Sequence, residues 1–292
     1  METTVDRFLQ YIRLERNQSQ HTRDAYAGDL TLFCDYAARR GVGLEAVTVN
    51  VIRGWVLERS AAGDGASTLR RRVQALRAFY RWLVTTGAVA DNPAAYVELA
   101  RVPKRLPTYV REPQLDALLD APLDEDDAEA VRDRLMVMML YETGMRRAEL
   151  IGLRDAAVDT AKCELKVHGK RDKDRIIPFG GELRRLIECY RALRPSPLRG
   201  TFFVRGDGEP LYPSLVYRVV HESLVEAGAH GKLSPHVLRH SFASSMLNGG
   251  ARLGSVKELL GHESLAATQV YTHITLSELK NNYKLAHPRA QN

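Results

Sequence analysis

Tyr141-Glu-Thr-Gly-Met-Arg-Arg-Ala-Glu-Leu150 holds the end of one helix, a break and the start of another. The apolar run Val131 to Tyr141 leads into it as a helix, and Gly144 is the residue type that a left-handed helix end favours. Arg146 then falls at the start of the next helix. A helix N-terminus offers free amide N–H groups and the positive end of a dipole, so it suits an anion. An arginine there adds a planar fork that binds two phosphate oxygens at once. The same string also suits an ordinary helix junction with a surface arginine. Glu149, one turn on, either orients Arg146 or meets solvent.

Outward from that break the chain reads as mainly α. Upstream lie a helix from Glu112 to Asp120 and an acidic run, Asp124 to Asp127, expected to be a solvated loop. Downstream, Cys163 to Val167 and Arg175 to Phe179 are strand-like and are joined by the polar turn Lys170-Arg-Asp-Lys-Asp174, the pattern of a β-hairpin. Helices resume at Leu183 to Leu193 and continue to the end. Asn92-Pro93 and Arg101-Val-Pro-Lys-Arg-Leu-Pro107 read as a helix stop and a basic linker. The boundary falls there, giving domains 1–103 and 108–292.

The first domain reads as four helices. Val5, Phe8, Leu9 and Ile12 recur at helical spacing, and Ser19 is an N-cap candidate for a segment with Tyr26, Leu30 and Phe33 on one stripe, ended by Gly41 and Gly43. A third helix covers Val51 to Ser60, and the break Ala62-Gly-Asp-Gly-Ala66 separates it from Ser67 to Val84. That last segment offers Leu69, Val73, Leu76, Phe79, Tyr80 and Leu83 to a core, with Arg70, Arg71, Arg72, Arg77 and Arg81 between them. Guanidinium groups interleaved with aromatics suit a DNA groove, where they meet phosphates and base edges. A solvated helix face has the same composition.

Composition sets wide bounds. The 292 residues are 45% hydrophobic, ample for packed cores, and carry a formal net charge of +6. Residues 1–105 hold 16 Lys and Arg against 11 Asp and Glu, whereas the rest hold 26 against 25, so most of the excess positive charge sits in the first third. That permits a polyanionic partner. No run of 18 apolar residues suggests a membrane span, and Met1 to Gln20 lacks a signal-peptide core, so a cytoplasmic protein is expected. Cys34, Cys163 and Cys189 are odd in number and lack CxxC spacing, which favours free thiols over disulfides or zinc.

Three further segments carry candidate chemistry. A lysine on the hairpin turn, Lys170, is a solubility device or, over a cleft, a proton donor to a leaving alkoxide. In His236-Val-Leu-Arg-His-Ser-Phe242 the i, i+3 spacing lets His236 and Arg239 point at one ligand, with Leu238 and Phe242 turned to the core. In Leu260-Gly-His-Glu-Ser-Leu265, Gly261 is a natural helix C-cap, which puts His262 at a helix end. Tyr271 follows in Gln269-Val-Tyr-Thr-His273. A phenol with an ordinary pKa of about 10 is a poor nucleophile and needs cationic neighbours.

Together these segments resemble the tyrosine recombinase (phage integrase) family, and more closely its XerC/XerD branch. The matching positions are Arg146, Lys170, His236, Arg239, His262 and Tyr271. The step of 24 from Arg146 to Lys170 and the steps of 3, 23 and 9 from His236 to Tyr271 also resemble it. Ser19-Gln-His-Thr-Arg-Asp-Ala-Tyr-Ala-Gly-Asp-Leu-Thr-Leu-Phe33 is similar to the family's core-site DNA-binding segment. The likeness covers nearly the whole chain, and the N-terminal arm-binding domain of many phage integrases is not expected. One departure is Arg147, where the family often has a smaller or apolar residue.

The resemblance implies a four-helix SAM-like core-binding domain and a mixed α/β catalytic domain with a small antiparallel sheet. It implies that Tyr271 attacks the scissile phosphate to form a 3′-phosphotyrosyl link, with Arg146, Arg239 and His262 on the phosphate, His236 at the tyrosine proton and Lys170 at the leaving 5′-oxygen. Neither metal nor ATP is implied, so no cofactor is expected. Implied partners are a double-stranded recombination site, a related recombinase in a heterotetramer (or a self-tetramer) and a cell-division DNA translocase. The segment Ser277 to Leu285, with Leu279, Tyr283 and Leu285 apolar, is expected to be a helix docked on a neighbouring subunit. The implied role is resolution of chromosome dimers. Other readings are a mobile-element integrase, a plasmid resolvase, a type IB topoisomerase, a silent DNA-binding accessory protein and, lacking a carboxylate cluster, least of all a metal-dependent nuclease.

Overall fold

Thr3 opens the first helix with a capping box: its hydroxyl accepts from the Asp6 amide at 3.1 Å, and the Asp6 carboxylate accepts from the Thr3 amide at 2.9 Å. A computed structural model describes residues 3–15, 20–99, 110–169, 174–261, 283 and 285–290. The chain divides into two units, Met1–Arg105 and Leu106–Asn292.

The first unit is built on α1 (Thr4–Leu14), α2 (Gln20–Arg39), α3 (Val49–Ala61) and α4 (Ala66–Thr85). Its core is aromatic. Phe8 meets Phe79 edge-on at 5.3 Å between ring centres, and Phe33 meets Trp55 edge-on at 5.2 Å, geometries that suit ring quadrupoles. All four rings are buried. Ser19 lies outside the described residues, as does the expected linker over 101–107.

The second unit wraps around α6 (Ala128–Thr143). Its consecutive residues Leu135 to Thr143 are all buried, so this helix is enclosed on every side. The acidic run before it does more than meet solvent: the Asp127 carboxylate caps α6 by accepting from the amides of Glu129 at 2.8 Å and Ala130 at 3.2 Å. Around α6 pack α8 (Gly181–Leu193), α9 (Pro213–Glu226) and α10 (Pro235–Asn248), while α5 (Glu112–Leu119) lies on α9. Two short helices complete the unit, α7 (Arg147–Ile151) and α11 (Leu253–Leu260).

The sheet is antiparallel, in the order β1 (Val158–Asp159), β2 (Glu164–His168), β3 (Asp174–Pro178). The β2–β3 hairpin follows the sequence pattern, whereas the two-residue β1 is too short to leave one. In the register Leu165 faces Ile177 and Val167 faces Arg175. Arg175 therefore shares the inward face of β3 with Ile177, opposite to Asp174 and Ile176.

The C-terminal residues turn back onto their own unit. Tyr283, His287 and Arg289 are buried, and the ring of His287 stacks on Tyr283 at 5.1 Å. Leu285, one of the apolar residues of the expected docking segment, is 74% exposed. Residues 277–282 of the expected docking helix lie outside the described residues. Arg289 sits among Asp120 (2.8 Å), Glu182 (2.5 Å), Asp116 (3.4 Å) and the fully buried Glu142 (3.8 Å).

Candidate active site

Gly144 ends α6 at φ +60°, and a Cβ there would collide with Phe242 and Leu260. Only glycine fits, because the turn needs both the left-handed backbone and the close approach. The chain then reverses into α7 with Arg146 as its N-cap residue. Glu149 reaches back to Arg146, accepting from its amide at 2.7 Å and from its Nη1 at 2.8 Å. Of the two readings left open for Glu149, it orients the arginine. The other fork nitrogen of Arg146 donates to the carbonyl of Gly261 at 2.8 Å.

Arg239 comes to the same place from α10. Its Nη1 donates to the Gly144 carbonyl and its Nη2 to the Leu260 carbonyl, both at 2.5 Å. Pro235 starts α10, and Arg239, one turn on from His236, is buried while His236 is exposed. Leu238 and Phe242 are fully buried beside it. Burial, then the nearby Arg146 charge, pushes the Arg239 guanidinium down to about 10, so it is still a cation at neutral pH.

Arg175, not singled out in the sequence, completes the arrangement. Its Nε donates to the Leu259 carbonyl at 2.7 Å, and its fork grips both oxygens of Glu149 at 3.0 and 2.8 Å. Three consecutive carbonyls at the end of α11, those of Leu259, Leu260 and Gly261, thus each accept from a different arginine. The last turn of a helix leaves such carbonyls without intrahelical partners and carries a partial negative charge, so cations fit there. Burial opposes the charge on Glu149, but the Arg175 fork and then the two Arg146 donors together outweigh it and hold the carboxyl below its usual range. An arginine on the inward face of an alternating strand was the available signal.

His236 has an imidazole held below its usual pKa, first by partial burial and then by the charges of Arg147, His240, Arg239 and Lys232. Arg147, the departure from the family pattern, thus bears on His236, and its Nη1 reaches the Pro213 carbonyl at 3.4 Å. Lys170, His262 and Tyr271 lie outside the described residues. The hairpin arms that lead to Lys170 are described, and His168 Nδ1 and Lys166 Nζ each lie 2.9 Å from an oxygen of Asp174. Gly261, which precedes His262, is the left-handed C-cap that the sequence suggested, at φ +59°.

The arginines of α4 divide. Arg70, Arg71 and Arg81 are exposed, and Arg71 pairs with the buried Asp29. Arg72 is buried and its Nη1 donates to Asp29 at 3.1 Å. Arg77 donates to the carbonyls of Ala94 at 3.1 Å and Val97 at 2.7 Å. Arg72 and Arg77 are thus taken up by acceptors within the unit, and Arg71 shares the buried Asp29 with Arg72, while Arg70 and Arg81 stand exposed.

Known proteins resemble the chain over nearly its whole length. The profile of the Phage integrase family matches residues 108–278, and that of the Phage integrase, N-terminal SAM-like domain matches residues 5–87. The tyrosine recombinase XerC of Mycobacterium sp. (strain KMS) is 39% identical over 300 residues, covering 99% of this chain and all of that one. XerC of Mycobacterium tuberculosis (strain ATCC 25177 / H37Ra) is 37% identical over 298 residues, with the same coverage. Among solved structures, the XerH site-specific recombinase bound to difH substrate before cleavage has a TM-score of 0.68 at 22% identity, covering 94% of this chain and 83% of that one. The Tn1549 transposon integrase in complex with transposon right end DNA has a TM-score of 0.72 at 18% identity, covering 97% and 98%; both likenesses concern the fold.

The chain belongs to the phage integrase family of tyrosine recombinases, DNA strand-exchange enzymes with a tyrosine nucleophile. Within that family it is a site-specific recombinase of the XerC/XerD branch.

Proposed function

We propose that Arg146 and Arg239 hold the scissile phosphate of a recombination site while Tyr271 attacks it. The observation that carries this reading is the convergence of two arginines, far apart in sequence, on adjacent carbonyls at the end of α11. Neighbouring guanidinium groups repel one another, and a phosphate between them relieves that repulsion. Charge that builds on the non-bridging oxygens in the transition state meets donors already in place. Arg146 is the accessible member, with a side chain 36% exposed and N–H groups left over for a ligand.

The remaining roles follow the chemistry of each side chain. His236, kept neutral by its lowered pKa, accepts the phenolic proton. The Tyr271 oxygen bonds to phosphorus, the bond to the 5′-oxygen breaks, and Lys170 supplies the proton that the leaving oxygen takes. His262 adds a hydrogen bond to the phosphate. A 5′-hydroxyl from the partner strand then attacks the phosphotyrosine, which returns the phenol. The phosphodiester energy is kept throughout, so no nucleotide is needed.

The first domain, residues 1–103, would grip the core site, with Arg70, Arg71 and Arg81 toward the phosphates. Residues 108–292 form the catalytic domain. The complete assembly would be a tetramer on two DNA sites, shared with a related recombinase or made of this chain alone. It would resolve chromosome dimers in the cytoplasm, with a cell-division DNA translocase as a further partner. The described helices contain none long and apolar enough to cross a membrane.

The test is covalent trapping. The protein is mixed with a nicked duplex carrying a core site selected from the genomic DNA that it binds, with the related recombinase of the same genome added. A denaturing gel should show an adduct that Tyr271→Phe abolishes while DNA binding persists. An adduct that survives Tyr271→Phe would assign the nucleophile elsewhere.

A further inference from the structure

We infer that Arg175 is a positioning residue for the phosphate clamp, an inference that rests on the clamp reading of Arg146 and Arg239. The argument begins with what Arg175 does not do. Its side chain is 11% exposed, and its three nitrogens already donate to Glu149 and to the Leu259 carbonyl. So little exposure keeps its remaining N–H groups from a phosphate in solvent. It acts through two contacts instead.

The first contact is the carboxylate of Glu149. One acceptor pair serves two arginines here: Oε1 accepts from Arg146 Nη1 and Arg175 Nη1, and Oε2 accepts from the Arg146 amide and Arg175 Nη2. With both lobes occupied by the Arg175 fork, the carboxylate has a fixed plane, and the Arg146 fork takes its angle from it. Without Arg175, Glu149 can rotate and claim more of Arg146 for itself. Arg146 would then present fewer donors to a phosphate.

The second contact is the end of α11. Arg175 holds Leu259, the residue before Leu260, whose carbonyl receives Arg239, and Leu260 precedes Gly261, whose carbonyl receives Arg146. One arginine of the sheet thus sets the helix end on which both clamp arginines rest. Arg175 stands on β3, a paired strand, so the reference frame is more rigid than a loop would supply. A lysine at this position keeps the charge but cannot fill two oxygens and a carbonyl at once.

The test is a comparison of two substrates with Arg175→Lys, Arg175→Gln and the double variant Arg175→Gln/Glu149→Gln, which removes both charges of the buried Arg175–Glu149 pair together. One nicked duplex carries the ordinary scissile phosphate. The other carries a methylphosphonate there, which lacks one negative oxygen and so asks less of the clamp. Cleavage rates are read at saturating protein, with the related recombinase present, and thermal melting is followed in parallel. Displacement of a catalytic group by about an ångström costs on the order of a hundredfold, so Arg175→Lys should slow cleavage of the phosphate by about 10- to 100-fold with little change in DNA binding. On one methylphosphonate diastereomer the gap to the wild type should narrow to about threefold, as it should for Arg146→Ala, because a neutral group needs less charge stabilisation.

Equal losses on both substrates would make Arg175 a structural residue only and overturn the inference, as would wild-type cleavage of the phosphate by both single variants. If Arg146→Ala cleaves the phosphate normally, or the wild type forms no adduct, the clamp reading itself falls. If Arg146→Ala is rescued by the neutral substrate and Arg175→Lys is not, only the positioning role falls.

Discussion

The catalytic unit contains two clusters of buried charge, and they are built in opposite ways. At the end of α11, three arginines stand around a single carboxylate that only two of them hold, and the deficit of negative charge is made up by backbone carbonyls. Around the C-terminal residues, one arginine, Arg289, stands among four carboxylates, and the deficit of positive charge is made up by protonation: burial pushes Glu142 up to about 8. Carbonyls can be exchanged for phosphate oxygens without moving a proton, so the first cluster is fit to receive an anion. The second already holds its cation within the chain. Burial of charge is costly in both, but only one of them leaves its surplus available to a ligand.

Breaking the second cluster should have the larger effect. Arg289→Ala leaves four acids without their cation; loss of one partner of a buried pair costs about 3–5 kcal/mol, and the low end is expected here because Asp120 is exposed and Asp116 partly so. Chemical denaturation should show that loss, and Glu142→Gln in the same chain should recover part of it. Full additivity of the two changes would mean that Arg289 and Glu142 do not couple. In the first cluster, Arg239→Ala should lower single-turnover cleavage by about 10²- to 10³-fold, the usual cost of removing one preorganised donor. A cleavage rate within a factor of about three of wild type would remove Arg239 from the transition state. Gly144→Ala is a smaller and purely structural break. It forces a left-handed alanine against Phe242 and Leu260 and should cost about 1–3 kcal/mol in denaturant.

The first cluster was legible in the sequence and the second was not, for physical reasons. Gly144 before Arg146 is a local signal, since a helix end and a helix start lie within three residues. His236 and Arg239 are one turn apart, so the spacing allowed them one ligand, while their roles came from the family resemblance. Arg175 lies on a strand whose alternation assigns it inward, but an inward arginine has no meaning until its partners Glu149 and Leu259 are placed by tertiary packing. Arg289 is further removed: its partners come from α5, α6 and α8, and nothing near it in sequence announces them. The arginines of α4 show the reverse failure. Composition grouped five of them, while the carboxylate and carbonyls that occupy Arg72 and Arg77 are brought to them only when the unit folds.

The smallest predicted effect sharpens the contrast by pH. Glu142 is faced by Arg289 and Tyr283 from the C-terminal residues, by Glu182 from α8 and by Tyr141 on its own helix, with His287 stacked nearby. Its folded value of about 8 lies above the ordinary 4.5, so the folded state keeps a proton that the unfolded state releases. The corresponding stability is present below 4.5 and is lost as pH rises through about 8. His287 has the opposite sign: burial pushes it from 6.5 down to about 3, so its contribution is present above 6.5 and is lost as pH falls toward 3. Between 4.5 and 6.5 the two slopes oppose each other, and from 6.5 to 8 the Glu142 slope stands without its opponent. Over that upper window the wild type should lose up to about 2 kcal/mol, at most one proton's worth of slope, and Glu142→Gln should be flatter. The clamp cluster predicts no such slope in the same window, since its groups hold their charge: Glu149 titrates below its usual range and Arg239 near 10. Equal slopes in wild type and Glu142→Gln would mean that Arg289 keeps Glu142 ionised after all, and the C-terminal cluster would then balance its charge by pairing, as the clamp does, rather than by holding a proton.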